Sequence, residues 1–422
     1  MRPLVVWLGL AALAACAPPP PPATRSQRSP PRDQLRERAF TIWLGGGRIG
    51  SAVEREAWTA DGVTLRRSET MRFLRGDVPV EIATTIEIAA NARLEPTRVR
   101  WVEHAQVTRS AEARLDPSGW TVTGDGAHWV PPDGVPAELV PLVVRRDGAF
   151  TGRVFLPARG FLAGAGKIEP VAPGRLVARL ELEGGTLAEA TLDVDGDGEV
   201  VRVVDGDGVI ALRATAAQVA EPFVPVDLIA ATSVPITGGS TGGAAARRDR
   251  LLLDGDVVLP AVPGQAAQAS AGGLEVALSS RLPGALPAQT AGRDRTREIH
   301  ALVEAVQLRI APDLRTGPAA ARAATSATAG DCTTFALAYA GLAAERSIPT
   351  RVITGYRVDG ERLVRHRWAT SWTGVTWIAV DAAFGAAPAG GDLLGLAVHD
   401  ADDAGLVAGE SALAQIRAAS WR

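Results

Sequence analysis

The sequence predicts an α+β protein in two unlike halves, an N-terminal antiparallel β region and a C-terminal region mixing helix and strand. Two patterns carry this expectation. From Phe40 to about Arg213 apolar and polar residues alternate and are interrupted by Asp-Gly and similar turn signals, the mark of strands joined by hairpins. From Arg293 the period lengthens, and Ile299, Leu302, Val303, Val306 and Ile310 fall on one helical face. Composition agrees with a folded protein: 46% of the 422 residues are hydrophobic, and the length suits two or three domains. The net charge of -3 argues against nucleic acid as a partner.

At the N-terminus, residues 1–15 read as a secretion signal. Arg2 supplies the positive start, and Leu4 to Ala15 is an apolar run too short to span a bilayer. The run ends in Leu13-Ala14-Ala15-Cys16, which resembles a bacterial lipobox. That resemblance implies cleavage before Cys16, a diacylglycerol on its thiol and an acylated amine, together an anchor that does not readily dissociate. The other reading is an ordinary signal peptide with a chance cysteine. Ala17 after the lipidation position points to a cell-envelope protein held on the outer membrane and facing the periplasm. Residues 16–38 are Pro-rich and form a semi-rigid tether.

Residues 39–219 make up the antiparallel β domain. Ile49–Trp58, Val63–Leu74, Val80–Ala89 and Thr97–His104 read as strands, and the turns include Asp116-Pro117-Ser118-Gly119 and Arg146-Asp147-Gly148. No catalytic constellation stands out in it. Asp193, Asp195 and Asp197 imitate the start of a calcium loop, but the twelfth position is Val204 where a bidentate Glu is needed. A hairpin turn is the better reading, so no metal is expected there. Residues 220–292 read as a connecting β layer, and residues 293–422 as the last domain. His300 and Glu304 lie one turn apart on its first helix and read as a surface pair.

The chemistry gathers in that last domain. The chain has two cysteines, and with Cys16 lipidated Cys332 has no partner. Asp331 is a good N-cap, which places Cys332 in the first turn of a helix, on the face of Phe335, Tyr339 and Leu342. A buried core thiol is the bland alternative. A reactive thiol needs an imidazole, and of five histidines His366 is the candidate. It sits between two β-favouring runs, His366–Trp372 and Val375–Asp381. A two-residue turn at Thr373-Gly374 would set His366 directly opposite Asp381; a longer loop would shift that register.

Taken together, "GDCTTFALAYAGLAAERSIPTRVITGY", "HRW" and "WIAVDAAFG" resemble the transglutaminase-like superfamily of papain-like cysteine enzymes. Gly330, Asp331 and Cys332 match its pattern, as do Ile348, Pro349, Arg351, Val352, Gly355, Tyr356, His366, Trp368, Trp377, Val380 and Asp381. Three departures are visible: Thr334-Phe335 after the cysteine, Ser347 in place of Gly, and Ala382-Ala383 in place of Pro-Thr. The first is expected to alter substrate contacts. The resemblance implies a Cys332–His366–Asp381 triad without a cofactor, hydrolysing amide or peptide bonds through an acyl-enzyme. A protein-crosslinking acyltransferase and a non-catalytic binding lipoprotein are the alternatives. The substrate implied is a protein, a peptide or a peptidoglycan peptide.

Overall fold

In a computed structural model the described residues are 34–125, 129–182, 187–206, 208–238, 250–255, 257–270, 272–315 and 321–422. The signal sequence, Cys16 and most of the tether therefore lie outside them, as does His128. Among the described residues no helix is long and apolar enough to cross a membrane.

The N-terminal half is one large sheet. One wing is a meander of β1 (Leu35–Leu44), β2 (Gly47–Trp58), β3 (Gly62–Arg75), β4 (Val78–Asn91), β5 (Pro96–His104), β6 (Thr108–Asp116) and β7 (Gly119–Gly124). The other holds β8 (Val135–Pro136), β9 (Phe150–Leu156), β10 (Leu162–Ala172), β11 (Arg175–Leu182), β12 (Leu187–Val194), β13 (Val200–Asp205) and β14 (Ile210–Ala214). The wings join where β1 pairs with β14, and all neighbours are antiparallel except β8 with β9. Each of the four expected strands is present and starts one or two residues earlier, and β3 and β4 also end one or two residues later.

Helix α1 (Val140–Asp147) was not foreseen. Its apolar stretch Val140-Pro141-Leu142-Val143-Val144 is too short to display a helical period. The helix is buried between the wings, with Leu142 and Val143 against Trp101 and Phe155, and Val140 and Val144 against Ile168 and Leu192. Arg146-Asp147-Gly148 is thus a helix end and not a hairpin turn, with Gly148 left-handed at φ 88.

Beneath α1, Glu56 is fully buried and bound by Arg38 and by Arg145 Nη2 at 2.8 Å, while Glu199 binds both arginines. Such a network is costly to desolvate and tolerates no missing member. It also consumes Glu199 of the calcium-like stretch. Asp193 pairs with Arg175 and Arg202, and Asp195 Oδ1 accepts from the N–H groups of Asp197 and Glu199. The stretch is the β12–β13 turn.

Two short helices, α2 (Ala216–Ala220) and α3 (Leu228–Thr232), lead into the second half. The region expected as a separate connecting layer supplies β15 (Val234–Thr237), β16 (Arg250–Asp254), β17 (Gln265–Ser270) and β18 (Gly273–Leu278). These join the same sheet as β21 (Thr350–Asp359), β22 (Arg362–Trp372), β23 (Trp377–Val380), β24 (Leu393–His399) and β25 (Ala418–Trp421). The main order is β17-β18-β16-β25-β15-β22-β21-β24, with β23 on β22. Pairings such as β16 with β25 span over 150 residues of chain, and local pattern carries no information about them. Helices α5 (Cys332–Glu345) and α6 (Asp403–Leu413) pack on this sheet and α4 (Thr296–Arg309) packs on α5, with the small parallel pair β19 (Ala311–Pro312) and β20 (Ala329–Gly330) between α4 and α5 in the chain. On α4, Ile299, Leu302, Val303 and Val306 are buried, and His300 and Glu304 are exposed.

Candidate active site

The site is built around the start of α5. Asp331 caps the helix, its Oδ1 accepting from the N–H groups of Thr333 at 3.1 Å and Thr334 at 3.3 Å. That leaves the Cys332 N–H, the first of the helix, aimed past the cap with the positive end of the helix dipole. Gly330 is required for the entry: a Cβ there would lie 2.3 Å from Thr334 Oγ1. The thiol itself is partly exposed at the rim of the core. Thr334 is 1% exposed and Phe335 packs with Ile299 and Tyr339, so neither reaches substrate, against the expectation drawn from the departure at these positions. Helix α5 is buried on nearly every side rather than on one face, because its alanines let neighbours close around it.

His366 comes from β22 and Asp381 from the turn after β23. The hairpin differs from the two-residue turn: Thr373 to Thr376 form a four-residue loop, pinned by Thr373 Oγ1 accepting from the N–H groups of Val375 and Thr376. The register is Ala369↔Val380 and Trp372↔Trp377, two residues away from direct opposition of His366 and Asp381. A shift of two preserves the face, since side chains alternate with period two. The pair is therefore diagonal but still meets, with His366 Nε2 2.8 Å from Asp381 Oδ2.

Asp381 is held by a double backbone bond with Ala386, and its Oδ1 is buried without a hydrogen-bond partner among the described residues. His366 lies stacked on Trp368, ring centroids 5.9 Å apart, and edge-on to Phe384 at 5.5 Å. Burial disfavours the imidazolium, but hydrogen bonds to Asp381 and Cys332, and their charges, outweigh it and raise His366 to about 10. With Nε2 occupied by Asp381, Nδ1 is the nitrogen left to face the thiol. The set combines a helix-end thiol, a protonated imidazole and an orienting carboxylate, which is the equipment for nucleophilic acyl transfer.

Residues 285–382 match the family model of the transglutaminase-like superfamily. The chain carries a transglutaminase-like domain. Cys332, His366 and Asp381 all fall inside the matched segment of that domain. No curated protein matches the chain. Two solved structures are distantly similar. A beta-barrel-like protein of a domain of unknown function (DUF1849) from Brucella abortus is 9% identical over 44% of this chain and 97% of its own, with a TM-score of 0.35. A DUF1089 family protein from Pseudomonas aeruginosa is 13% identical over 38% of this chain and 88% of its own, with a TM-score of 0.26.

The transglutaminase-like domain also holds polar residues that sequence reasoning passed over. Arg367, on the opposite face of β22 from His366, is buried and donates to Thr354 Oγ1 at 2.8 Å and Thr333 Oγ1 at 3.1 Å. It braces the first turn of α5 from behind. Its guanidinium is pushed below the usual arginine range by burial, against the opposing charges of Glu410 and Cys332. Thr354 in turn meets His399 Nε2 at 2.9 Å, while His399 Nδ1 lies 2.8 Å from the Asp400 carbonyl. His399 is a buried residue of β24. For Arg367 the available signal was a charged residue inside the β-favouring run "HRWATSW".

Proposed function

We propose that this chain is a lipid-anchored enzyme of the cell envelope that hydrolyses amide or peptide bonds through an acyl-enzyme on a papain-like scaffold. The reading rests on one observation, the 2.8 Å contact of His366 Nε2 with Asp381 Oδ2 beside a thiol at a helix N-terminus. The Cys332 proton passes to His366, Sγ attacks the substrate carbonyl as the thiolate, and the Cys332 N–H meets the developing oxyanion. As the C–N bond breaks, His366 gives its proton to the departing amine, a general-acid step worth roughly 100- to 10,000-fold. Water then attacks the thioester, His366 takes its proton, and the S–C bond breaks to release the acid. Asp381 holds the imidazole and balances its charge throughout.

The preference for water over an amine acceptor rests on supply and shape. Water in an envelope vastly exceeds any one amine. Thr334 and Phe335, the residues that depart from the family pattern beside the cysteine, are buried and do not build a tunnel for a lysine. The substrate class is a protein, a peptide or a peptidoglycan peptide, and Cys16 carries the anchor that holds the enzyme near it.

Incubating the protein with a cleavable amide and excess primary amine tests the reaction. Hydrolysis product should dominate, and Cys332→Ala should make neither product. Dominant amine adducts at millimolar amine would establish the crosslinking alternative instead. For the anchor, wild-type protein should partition into detergent and Cys16→Ser should not. Equal partitioning of the two removes the lipid from the proposal.

A further inference from the structure

The wings of the N-terminal sheet and α1 line a partly open cavity of about 720 Å³, within the range of small-molecule sites. Inner-face residues wall it from both wings: Met71, Ile82 and Ile86 from one, Val154, Ile168 and Leu180 from the other. Leu406 of α6 also lines it. It is separate from the triad, none of whose residues lines it.

The charged groups bordering it number eight acids and five bases, so the surroundings favour a cation. Several are already matched. Arg67 binds Glu54 at 2.7 Å and Glu69 at 2.8 Å, Arg109 binds Glu103, and Arg179 binds Glu189 at 2.8 Å. Glu138 differs. It stands in the helical turn Ala137–Leu139 that leads into α1, and its Oε2 is buried without a hydrogen-bond partner. The half-buried side chain lines the chamber, and desolvation pushes its carboxyl up to about 7. A carboxyl on the chamber wall with one oxygen buried and unpartnered is costly to keep, and a cation in the chamber would offset that cost.

We propose that this cavity binds one small amphiphile, an apolar body ending in a primary ammonium group that pairs with Glu138. The apolar walls take the body, and the acid excess around the chamber rejects a carboxylate head. Pairing with an ammonium also ionises Glu138, so binding below neutrality releases a proton.

Titration calorimetry of the folded protein with octylamine, octanol and octanoate, each below its aggregation threshold, tests this. Octylamine should bind best, roughly tenfold or more tighter than octanol, with no measurable octanoate binding. At pH 6 its binding enthalpy should vary with buffer ionisation as a proton is released. Glu138→Gln, nearly the same shape, should lose that preference for the amine. Ala178→Trp, which fills the chamber from β11, should abolish binding of all three, with circular dichroism verifying the fold of each variant. Octanol or octanoate binding as tightly as octylamine overturns the proposal, as does unchanged amine affinity in Glu138→Gln.

Discussion

Arg75, the last residue of β3, donates from Nη1 to Asp331 Oδ2 at 3.1 Å. The N-terminal sheet therefore reaches across to the N-cap of α5, next to the thiol. Both side chains are mostly shielded, at 15% and 13% exposed, so the pair is screened less than a surface ion pair. Replacing Arg75 by Ala leaves the Asp331 charge uncompensated beside Cys332. We expect Arg75→Ala to slow iodoacetamide alkylation of Cys332 at neutral pH severalfold while the protein stays folded. Asp331→Ala should in addition cost about 1 kcal/mol of stability through the lost cap, measured by urea unfolding. An unchanged alkylation rate in Arg75→Ala would show that the sheet does not influence the thiol.

His366 titrates at about 10 in the folded protein against 6.5 unperturbed. Raised in this direction, it contributes stability that is complete below about pH 6.5 and is lost as pH rises through about 10. Wild type should thus lose more stability than Asp381→Asn between those limits. NMR of the imidazole nitrogens should show His366 protonated at pH 8 in wild type and neutral in Asp381→Asn. Amide hydrolysis by Asp381→Asn should fall by roughly 100-fold or more, since the imidazole loses its orientation and charge balance.

His399 predicts the opposite end of the pH range. Its Nδ1–H donates to the Asp400 carbonyl and its Nε2 accepts from Thr354, whose oxygen accepts from Arg367. The chain of donors closes only with a neutral ring. Burial and the nearby Arg367 charge lower His399 to about 3. The unfolded chain therefore takes up a proton first, and stability is lost as pH falls from about 6.5 toward 3. His399→Gln should flatten this acid limb in urea titrations at pH 7, 5.5 and 4.5 (about the range where the unfolded histidine charges). An equally steep limb in the variant would assign acid sensitivity elsewhere.

Ser347 adopts φ 52 just after α5, the left-handed region that favours glycine. Arg295 anchors this corner by donating to the Ser347 and Arg346 carbonyls. A left-handed non-glycine residue costs about 1–2 kcal/mol. Ser347→Gly, which restores the residue usual in the family, should raise the unfolding free energy by up to about 1 kcal/mol, the gain being reduced by glycine's greater freedom when unfolded. A destabilised variant would mean that the serine side chain has a role its backbone does not reveal.

Sequence alone carried the local features of this protein. Period-two alternation marked the strands from Ile49 to His104, because a half-buried strand must alternate. Helical spacing marked α4 for the same reason. Gly330-Asp331-Cys332 announced a capped helix, since the cap depends on residues three apart in the chain. Ordered motifs named Cys332, His366 and Asp381, whose spacings a family pattern preserves.

What tertiary structure decided was whatever depends on residues distant in sequence. Chain pattern could not show that β15 to β18 join the sheet holding His366, because those pairings cross long separations. The hairpin register depended on loop hydrogen bonds at Thr373, and only the even shift kept His366 and Asp381 on one face. Helix α1 hid in five residues that were apolar on every side, since burial between two wings removes the periodicity that marks a half-exposed helix. The contacts of Arg75 with Asp331 and of Arg367 with Thr333, and the place of Glu138 on the chamber wall, have no sequence signature. Each was set by how separately folded elements come to rest against one another, and there burial fixes which polar groups must find partners.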